Sequence, residues 1–232
     1  MASYFVTFDN NTSETWTMGV YQTIPVAPGL SADSVSWLQT TSPPSGISSV
    51  SWDITYNVAL ASYYQEDGTG VYSSSQILEA DLGTQWNIVM EGGAQQLQEA
   101  ETTAPSDQII ISNQSGNLAN PGIGMYSSPS VYQRDVYSGT KASFIVTPVY
   151  WVALFNSLTV GEVISTNVSV GPLQLKFDGA NAATVTASTQ GGNLFMNVSY
   201  GSSISVDMAQ VSERINRRRN SYQKQLHGRR HQ

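Results

Sequence analysis

The stretch VSWDITYNVALASYY, residues 50–64, decides the class of the fold. Apolar and polar residues alternate along it, and its apolar positions are Trp52, Ile54, Tyr56, Val58 and Leu60. A period of two residues is that of a β-strand with one buried face, and no helical period places these five side chains on one side. At about 3.3 Å per residue the stretch would span about 45 Å. We therefore predict one long, bent central strand whose five apolar residues lie in the core.

Shorter stretches of the same kind occur along most of the chain. They are separated by turn-forming residues such as Asp67-Gly68 and Gly191-Gly192. Strands at such short spacing are typical of a β-sandwich. We predict one antiparallel β-sandwich of about 10–12 strands over residues 1–206, with no internal repeat of fixed period. The further predicted strands are residues 4–8, 15–23, 35–40, 71–80, 85–90, 141–156, 163–170, 173–177, 184–189 and 194–200.

Two segments do not follow the strand pattern. Residues 94–103 are rich in Gln, Glu and Ala and predict a short helix or an ordered loop. Residues 105–130 contain one apolar run and otherwise predict a loop, which is either a binding loop or a plain connection. A ligand loop would use the tyrosines outside the strand pattern. The candidates are Tyr126, Tyr132 and Tyr137, with Tyr63 and Tyr64 as further contact residues.

The last 26 residues, 207–232, follow a helical period instead. Their apolar side chains share one face at 100° per residue, and arginines lie within and beside that face. We predict an amphipathic basic helix that forms a separate C-terminal arm. The residues assigned to this assembly arm are Met208, Val211, Ile215, Arg217, Arg218, Arg219, Tyr222 and Leu226.

The net charge of −7 is distributed unevenly. Residues 1–206 carry three basic side chains against fifteen carboxylates, a balance of −12, whereas residues 207–232 carry seven against two, a balance of +5. The arm is therefore either a frayed helix without a role, a segment that docks on the acidic body of a neighbouring copy, or a binder of nucleic acid or anionic lipid. An acidic body would repel both nucleic acid and anionic lipid, so nucleic acid is not an expected partner.

The composition excludes several classes of enzyme. The chain has no cysteine, and both histidines, His227 and His231, lie in the arm, so the body lacks thiolate and imidazole groups. A pair of carboxylates would suffice for glycoside hydrolysis, although carboxylates on turns and strand faces are usually only solvated. The candidates are Asp53, Glu66, Asp67, Glu79, Asp81 and Glu91. We expect no catalytic residue, no cofactor and no metal site.

The aromatic content has two interpretations. All five tryptophans lie in strand patterns and are expected to fill the core, whereas exposed aromatic rings would suit a sugar-binding or interface surface. The N-terminal residues lack the basic and apolar regions of a secretory signal, and no run approaches about 18 apolar residues. We expect a cytoplasmic protein, with leaderless export as the alternative.

Four segments resemble the rhizosphere-induced protein family typified by RhiA. They are TWTMGVYQT at 15–23, SVSW at 34–37, VSWDITYNVALASY at 50–63, and TPVYWVALF followed by GEVIS within 147–165. The resemblance covers about residues 4–200 and does not include the arm. It implies no biochemical activity, catalytic residue or cofactor, because none is known for that family.

We therefore predict a non-enzymatic protein that associates with copies of itself. Only 12% of its residues are charged, and a surface of short polar side chains loses little entropy when it packs. In this structural or inclusion-type role, the basic arm docks on the acidic body of a neighbouring subunit. The alternative is a carbohydrate- or membrane-binding β-sandwich, lectin-like or cytolysin-like.

Overall fold

A computed structural model describes residues 3–24, 32–164 and 168–201, which form seventeen strands and contain no helix. The predicted all-β class is confirmed, and the predicted C-terminal helix, residues 207–232, lies outside the described residues. The strands are β1 (Ser3–Asn11), β2 (Trp16–Thr23), β3 (Asp33–Ser34), β4 (Leu38–Ser42), β5 (Ile47–Asp53), β6 (Tyr56–Glu66), β7 (Thr69–Glu79), β8 (Thr84–Glu91), β9 (Ala94–Thr103), β10 (Gln108–Asn113), β11 (Asn120–Met125), β12 (Ser128–Tyr132), β13 (Lys141–Ile145), β14 (Val149–Phe155), β15 (Val170–Leu175), β16 (Ala182–Gln190) and β17 (Asn193–Gly201).

Within the described residues the strands form four sheets. Sheet 1 has the order β17-β16-β1-β5, and sheet 2 has the order β15-β14-β2-β4. Sheet 3 has the order β3-β12-β11-β6-β7, and sheet 4 has the order β13-β10-β8-β9. Paired strands are antiparallel except for β1 with β16 and β8 with β10, which are parallel.

The sheets pack in pairs around two separate cores. Sheets 1 and 2 enclose a core that includes Phe8, Trp52 and Val152, and we call them the terminal sandwich because their strands come mostly from the two ends of the described chain. Sheets 3 and 4 enclose a core that includes Val58 and Phe144, and we call them the central sandwich. The prediction of one sandwich with about 10–12 strands was therefore wrong. The described residues build two sandwiches.

The stretch 50–64 is the link between the two sandwiches and not one long strand. Strand β5 ends at Asp53 in sheet 1 and β6 begins at Tyr56 in sheet 3, after a tight turn in which Thr55 N donates to Asp53 O at 3.0 Å. Trp52 is buried in the terminal core, and Val58 and Leu60 are buried in the central core. The alternation runs on through the turn because Tyr56, which is half-buried, packs against both cores.

Two further sequence predictions were wrong. Residues 94–103 form strand β9 and not a helix, and residues 105–130 contain β10, β11 and the start of β12 where a long loop was predicted. Strand β9 lies at the edge of sheet 4, and of its side chains only Leu97 is fully buried. An edge strand with so few buried positions shows little apolar alternation.

The two sandwiches have the same strand arrangement. In sheet 1 the hairpin β16–β17 lies beside β1, which is parallel to β16 and antiparallel to β5. In sheet 4 the hairpin β8–β9 lies beside β10, which is parallel to β8 and antiparallel to β13. The strand orders of sheets 2 and 3 also correspond, except that sheet 3 has the additional strand β3. Strands β1, β2, β4 and β5 thus correspond to β10–β13, and β6–β9 correspond to β14–β17.

Sequence and register support this correspondence. Strand β6 begins Tyr-Asn-Val-Ala-Leu at Tyr56, and β14 contains Tyr-Trp-Val-Ala-Leu from Tyr150. The strand register is also the same. Ile123 pairs with Val58 in the central sandwich, and Val20 pairs with Val152 at the equivalent position of the terminal sandwich. Both hairpins turn through two left-handed glycines, Gly92-Gly93 and Gly191-Gly192. The described residues within 3–103 (repeat 1) and 108–201 (repeat 2) are therefore two structural repeats. Because their spacing is unequal, they have no fixed period, and the sequence alone did not reveal them.

Each repeat divides its strands between the two sandwiches. The terminal sandwich combines the first four-strand half of repeat 1 (β1, β2, β4, β5) with the second half of repeat 2, β14–β17. The central sandwich combines the second half of repeat 1, β6–β9, with the first half of repeat 2, β10–β13. Two repeats that exchange halves in this way have the arrangement of a domain-swapped dimer within one chain.

A buried asparagine at the end of the first strand is common to both repeats. Asn113 Nδ2 donates to Asn117 O at 2.7 Å and to Val136 O at 2.8 Å, while its Oδ1 accepts from Ser115 N and Oγ. Asn10 makes the matching bonds to Glu14 O at 2.8 Å, to Ser42 O at 3.0 Å, and from Thr12. These side chains fix the corner between the sheets in each sandwich.

Candidate functional site

The three tyrosines of the predicted ligand loop do not lie together. Tyr126 lies in the turn between β11 and β12, at the C-terminal end of β11. Tyr137, which is 68% exposed, lies near the N-terminal end of β11, because its neighbour Val136 pairs with Ala119. Tyr132 lies in β12, not in a loop, and only 1% of it is exposed. That Tyr126, Tyr132 and Tyr137 contact a ligand stays a prediction, but they do not form one surface.

Tyr132 belongs instead to a tyrosine cluster on the face of sheet 3 that points away from sheet 4. Its ring is parallel to that of Tyr72, with an interplanar angle of 2° and centroids 4.4 Å apart, and Tyr63 packs on Tyr72 at 5.0 Å. Gly122 leaves the space for the Tyr132 ring, because a Cβ at this position would lie 2.4 Å from it. The cluster is therefore fixed by the backbone beneath it.

The hydroxyl groups of the cluster are hydrogen-bonded. Tyr72 Oη donates to Asp33 Oδ2 at 2.5 Å, and Tyr132 Oη lies 2.6 Å from Ser74 Oγ. Burial, with the neighbouring Asp33, raises the pKa of Tyr72 well above its usual value, and burial raises the pKa of Tyr132 to about 12. Arg134 lies over the Tyr63 ring, 4.7 Å from its centroid. Both buried hydroxyls therefore stay protonated at neutral pH.

A pocket of about 240 Å³ opens beside this cluster. Its wall comes from the β6–β7 hairpin, the start of β12 and the loop after β14, three parts of the chain that are distant in sequence. Tyr64 and Tyr132 were predicted from the sequence as contact residues. Ser73, Ser74 and Ser128 were not, because these serines come together only through the strand pairing of sheet 3. None of the described residues that line the pocket is charged.

An acidic cleft of about 570 Å³ lies between the β6–β7 turn and the loop after β14. It collects Glu66 and Asp67, which the sequence marked, and Glu162, which it did not. Glu162 is buried and its Oε2 accepts a hydrogen bond from Thr159 N at 2.8 Å. The other predicted carboxylates, Asp53, Glu79, Asp81 and Glu91, do not line this cleft. In the described part of the chain no group of three or more His, Cys, Asp or Glu residues could hold a metal ion.

Charge divides between the two sandwiches. The central sandwich carries eleven carboxylates, including Glu162, which pairs with β7, against Arg134 and Lys141, a balance of −9. The terminal sandwich carries four against Lys176, a balance of −3. Three exposed carboxylates lie on the β8–β9 hairpin, which we call the acidic hairpin: Glu91, Glu99 and Glu101. Glu99 and Glu101 form no ion pair with any described residue, and the one ion pair among those residues joins Arg134 to Asp135 at 3.8 Å.

The corresponding hairpin of repeat 2, β16–β17, carries no charge at all. Strand β17 is an edge of sheet 1 and exposes Phe195 and Tyr200. On the face of sheet 1 that points away from its core, hydroxyl side chains lie opposite one another across four strands. This row is Ser49, Thr7, Thr184 and Ser199. Strands β16 and β17 carry no charge, whereas β1 and β5 add Asp9 and Asp53 to this face.

The described residues contain no helix long and apolar enough to cross a membrane. All residues of the predicted assembly arm, from Met208 to Leu226, lie outside the described part of the chain. Their docking and the boundary at residue 206 therefore stay predictions.

Comparison with known proteins confirms the predicted resemblance. A family model described as RhiA matches residues 1–199. The chain is also similar to Protein RhiA of Rhizobium leguminosarum bv. viciae, with 25% identity over 187 residues, which is 76% of this chain and 78% of that protein. No solved structure matches the chain. The family match includes strands β1–β16 and most of β17, ends before the basic arm, and establishes that the chain belongs to the RhiA family.

Proposed function

We propose that the chain is a non-enzymatic structural protein that associates with copies of itself. In this proposal the basic residues 207–232 of one copy bind the acidic hairpin of a neighbouring copy. The observation that carries the proposal is the separation of charge between an acidic central sandwich, at −9, and a C-terminal segment at +5. Opposite charges on two surfaces favour encounter and fix which surfaces meet.

The acidic hairpin is suited to such a contact. Glu99 and Glu101 are exposed on an edge strand and lack a cationic partner in the described residues, so an incoming arginine displaces no existing ion pair. Arginine binds carboxylates with two parallel hydrogen bonds, which favours the arginine-rich segment over a lysine-rich one. The attraction acts over about 10 Å at 0.1 M salt and weakens as salt is added.

The uncharged β16–β17 hairpin of sheet 1 supports the same proposal. A Lys or Glu side chain loses about 1.5–2 kcal/mol of rotamer entropy when it is fixed, whereas Ser and Thr lose much less. The Ser and Thr row and the edge strand β17 therefore pack against another copy at small entropic cost. An exposed uncharged edge strand is also a template for pairing with a further strand.

Charge reversal at the acidic hairpin tests the proposal. The variant Glu99→Lys with Glu101→Lys and the control Glu14→Lys with Asp178→Lys change the net charge equally at exposed positions, but the control changes only the terminal sandwich. Light scattering at low salt should show a smaller assembly for the first variant and an unchanged assembly for the control. Equal assembly masses for both variants and the wild-type chain would refute the docking site.

A further inference from the structure

We infer that the pocket beside the tyrosine cluster binds a single neutral sugar ring. This ligand site is independent of the proposed self-association. The pocket lies between the β6–β7 hairpin, the start of β12 and the loop after β14, and its volume is about 240 Å³. Pockets for drug-sized ligands measure about 300–1,000 Å³, so this one suits one ring better than an extended chain.

The wall of the pocket provides an aromatic surface. Tyr64 is 45% exposed and lines the pocket, next to the largely exposed Val160. A sugar ring has an apolar face of C–H groups that packs on aromatic rings, while its hydroxyls need hydrogen-bonding partners. An amphipathic tyrosine can serve both needs, because its ring is apolar and its hydroxyl is a donor and an acceptor.

Hydroxyl groups provide the polar part of the wall. Ser73, Ser74, Ser128 and Tyr132 all line the pocket, and Ser73 and Ser74 are exposed. Ser74 Oγ and Tyr132 Oη are 2.6 Å apart, so one hydrogen of the pair lies between them. Ser74 is exposed and keeps hydrogen-bonding capacity for a ligand, whereas Tyr132, of which only 1% is exposed, holds the Ser74 hydroxyl through this bond. Because Tyr132 keeps its proton up to a pKa of about 12, it remains a donor at neutral pH.

The charge of the wall defines the class of ligand. None of the described lining residues is charged, although the neighbouring cleft holds Glu66, Asp67 and Glu162. A charged ligand would leave water for a pocket without a countercharge, which is costly, whereas a neutral polyol exchanges hydrogen bonds with water for hydrogen bonds with hydroxyls. The carboxylates nearby also repel acidic sugars.

The second repeat shows that the fold does not require these residues. At the positions that correspond to Tyr63 and Tyr64, counted from Tyr56 and Tyr150, repeat 2 has Ser157 and Leu158. Gly122, which pairs with Tyr132, corresponds to Gly19 of the terminal sandwich, and Gly19 pairs with Gln39 instead of a tyrosine. The matching face of sheet 2 is instead covered by apolar side chains, among them Phe155, Leu158 and Ile164. The tyrosines and hydroxyls of the pocket are therefore specific to one sandwich, as a ligand site would be.

The experiment is a saturation-transfer NMR titration of the full-length chain with small saccharides. The neutral probes are the methyl glycosides of glucose, galactose, mannose and N-acetylglucosamine, and N-acetylneuraminic acid is the charged comparison. We expect millimolar binding of at least one neutral probe and weaker binding of the acidic one. Absence of binding by every neutral probe, or tighter binding of the acidic sugar, would overturn the inference.

Three variants locate the binding site. Tyr64→Ala should weaken binding of the neutral probe at least tenfold. Tyr137→Ala, which removes an exposed tyrosine that does not line the pocket, should leave binding unchanged. Ser74→Ala should weaken binding several-fold, with the melting temperature of each variant recorded to confirm folding. Equal losses in Tyr64→Ala and Tyr137→Ala would place binding elsewhere. Assembly mass should be the same for all three variants, so failure here leaves the self-association proposal untouched.

Discussion

Replacement of the buried corner asparagine should destabilise the protein severely, and by a similar amount in either repeat. Asn113→Ala removes four hydrogen bonds of a fully buried side chain, with Asn117 O, Val136 O, Ser115 N and Ser115 Oγ. At about 1 kcal/mol net for each bond the loss is about 4 kcal/mol. The carbonyls of Asn117 and Val136 also lose a donor without gaining water, which adds to the cost.

The matched variant is Asn10→Ala, and the control is Gln114→Ala. Asn10 makes the corresponding hydrogen bonds in the terminal sandwich, so its loss should also be about 4 kcal/mol, a large fraction of the 5–15 kcal/mol that holds most domains folded. Gln114 is the exposed neighbour of Asn113 and should change stability by less than about 0.5 kcal/mol.

Urea unfolding followed by tryptophan fluorescence measures all three variants. A loss below about 1 kcal/mol for either asparagine would refute the structural role of the corner, because it would mean that the freed groups find other partners. A large loss in one repeat and none in the other would refute the correspondence of the two sandwiches.

Two other perturbations test the tyrosine cluster and the cores. Gly122→Ala should lower the free energy of unfolding in urea by about 1–3 kcal/mol, because the new Cβ would lie 2.4 Å from the Tyr132 ring. The control Gly201→Ala, with open space around its Cβ, should lower it far less. Equal losses in the two variants would contradict this packing. Stability should also fall as the pH rises from about 10 to about 12. Burial raises the pKa of Tyr132 and of Tyr150 to about 12, whereas tyrosine in the unfolded chain titrates near 10, so the stabilisation is complete below about pH 10 and is lost as the pH approaches the folded pKa. Urea unfolding at pH 9, 10 and 11 measures this slope, Tyr150→Phe should reduce it, and a slope that Tyr150→Phe leaves unchanged would contradict the assignment.

The strand content was predictable from the sequence because it depends on local alternation. Of the five tryptophans placed in the core on this basis, Trp151 is only partly buried, and the other four are buried: Trp16, Trp37, Trp52 and Trp86. Val58 and Leu60 are also core residues, as the alternation of residues 50–64 predicted. Where a strand has one buried face, the period of two residues is visible in the sequence itself.

The division into two sandwiches was not predictable in this way. The break at Ile54-Thr55 does not interrupt the alternation, since Tyr56 packs on both cores. The repeat is concealed because its parts are separated by unequal distances, 94 residues from Tyr56 to Tyr150 and 99 from Gly92 to Gly191. Unequal spacing removes the fixed period by which repeats are usually recognised.

The pocket was predictable only in part. Tyr64 and Tyr132 were predicted as contact residues because they lie outside the predicted strand pattern, yet Tyr132 is buried against Tyr72. Ser73, Ser74 and Ser128 carry no sequence signal, because serine is frequent throughout this chain. Their convergence depends on long-range pairing of β6, β7, β11 and β12, which local patterns do not encode.

The mass of the assembly, measured by light scattering for the full chain and for a chain that ends at Val206, tests the proposed function most directly. At low salt the full chain should form a larger assembly than the shortened chain, and the difference should disappear at 1 M salt, where charges are screened beyond about 3 Å. Equal masses for the two chains at low salt would contradict self-association through the basic residues 207–232.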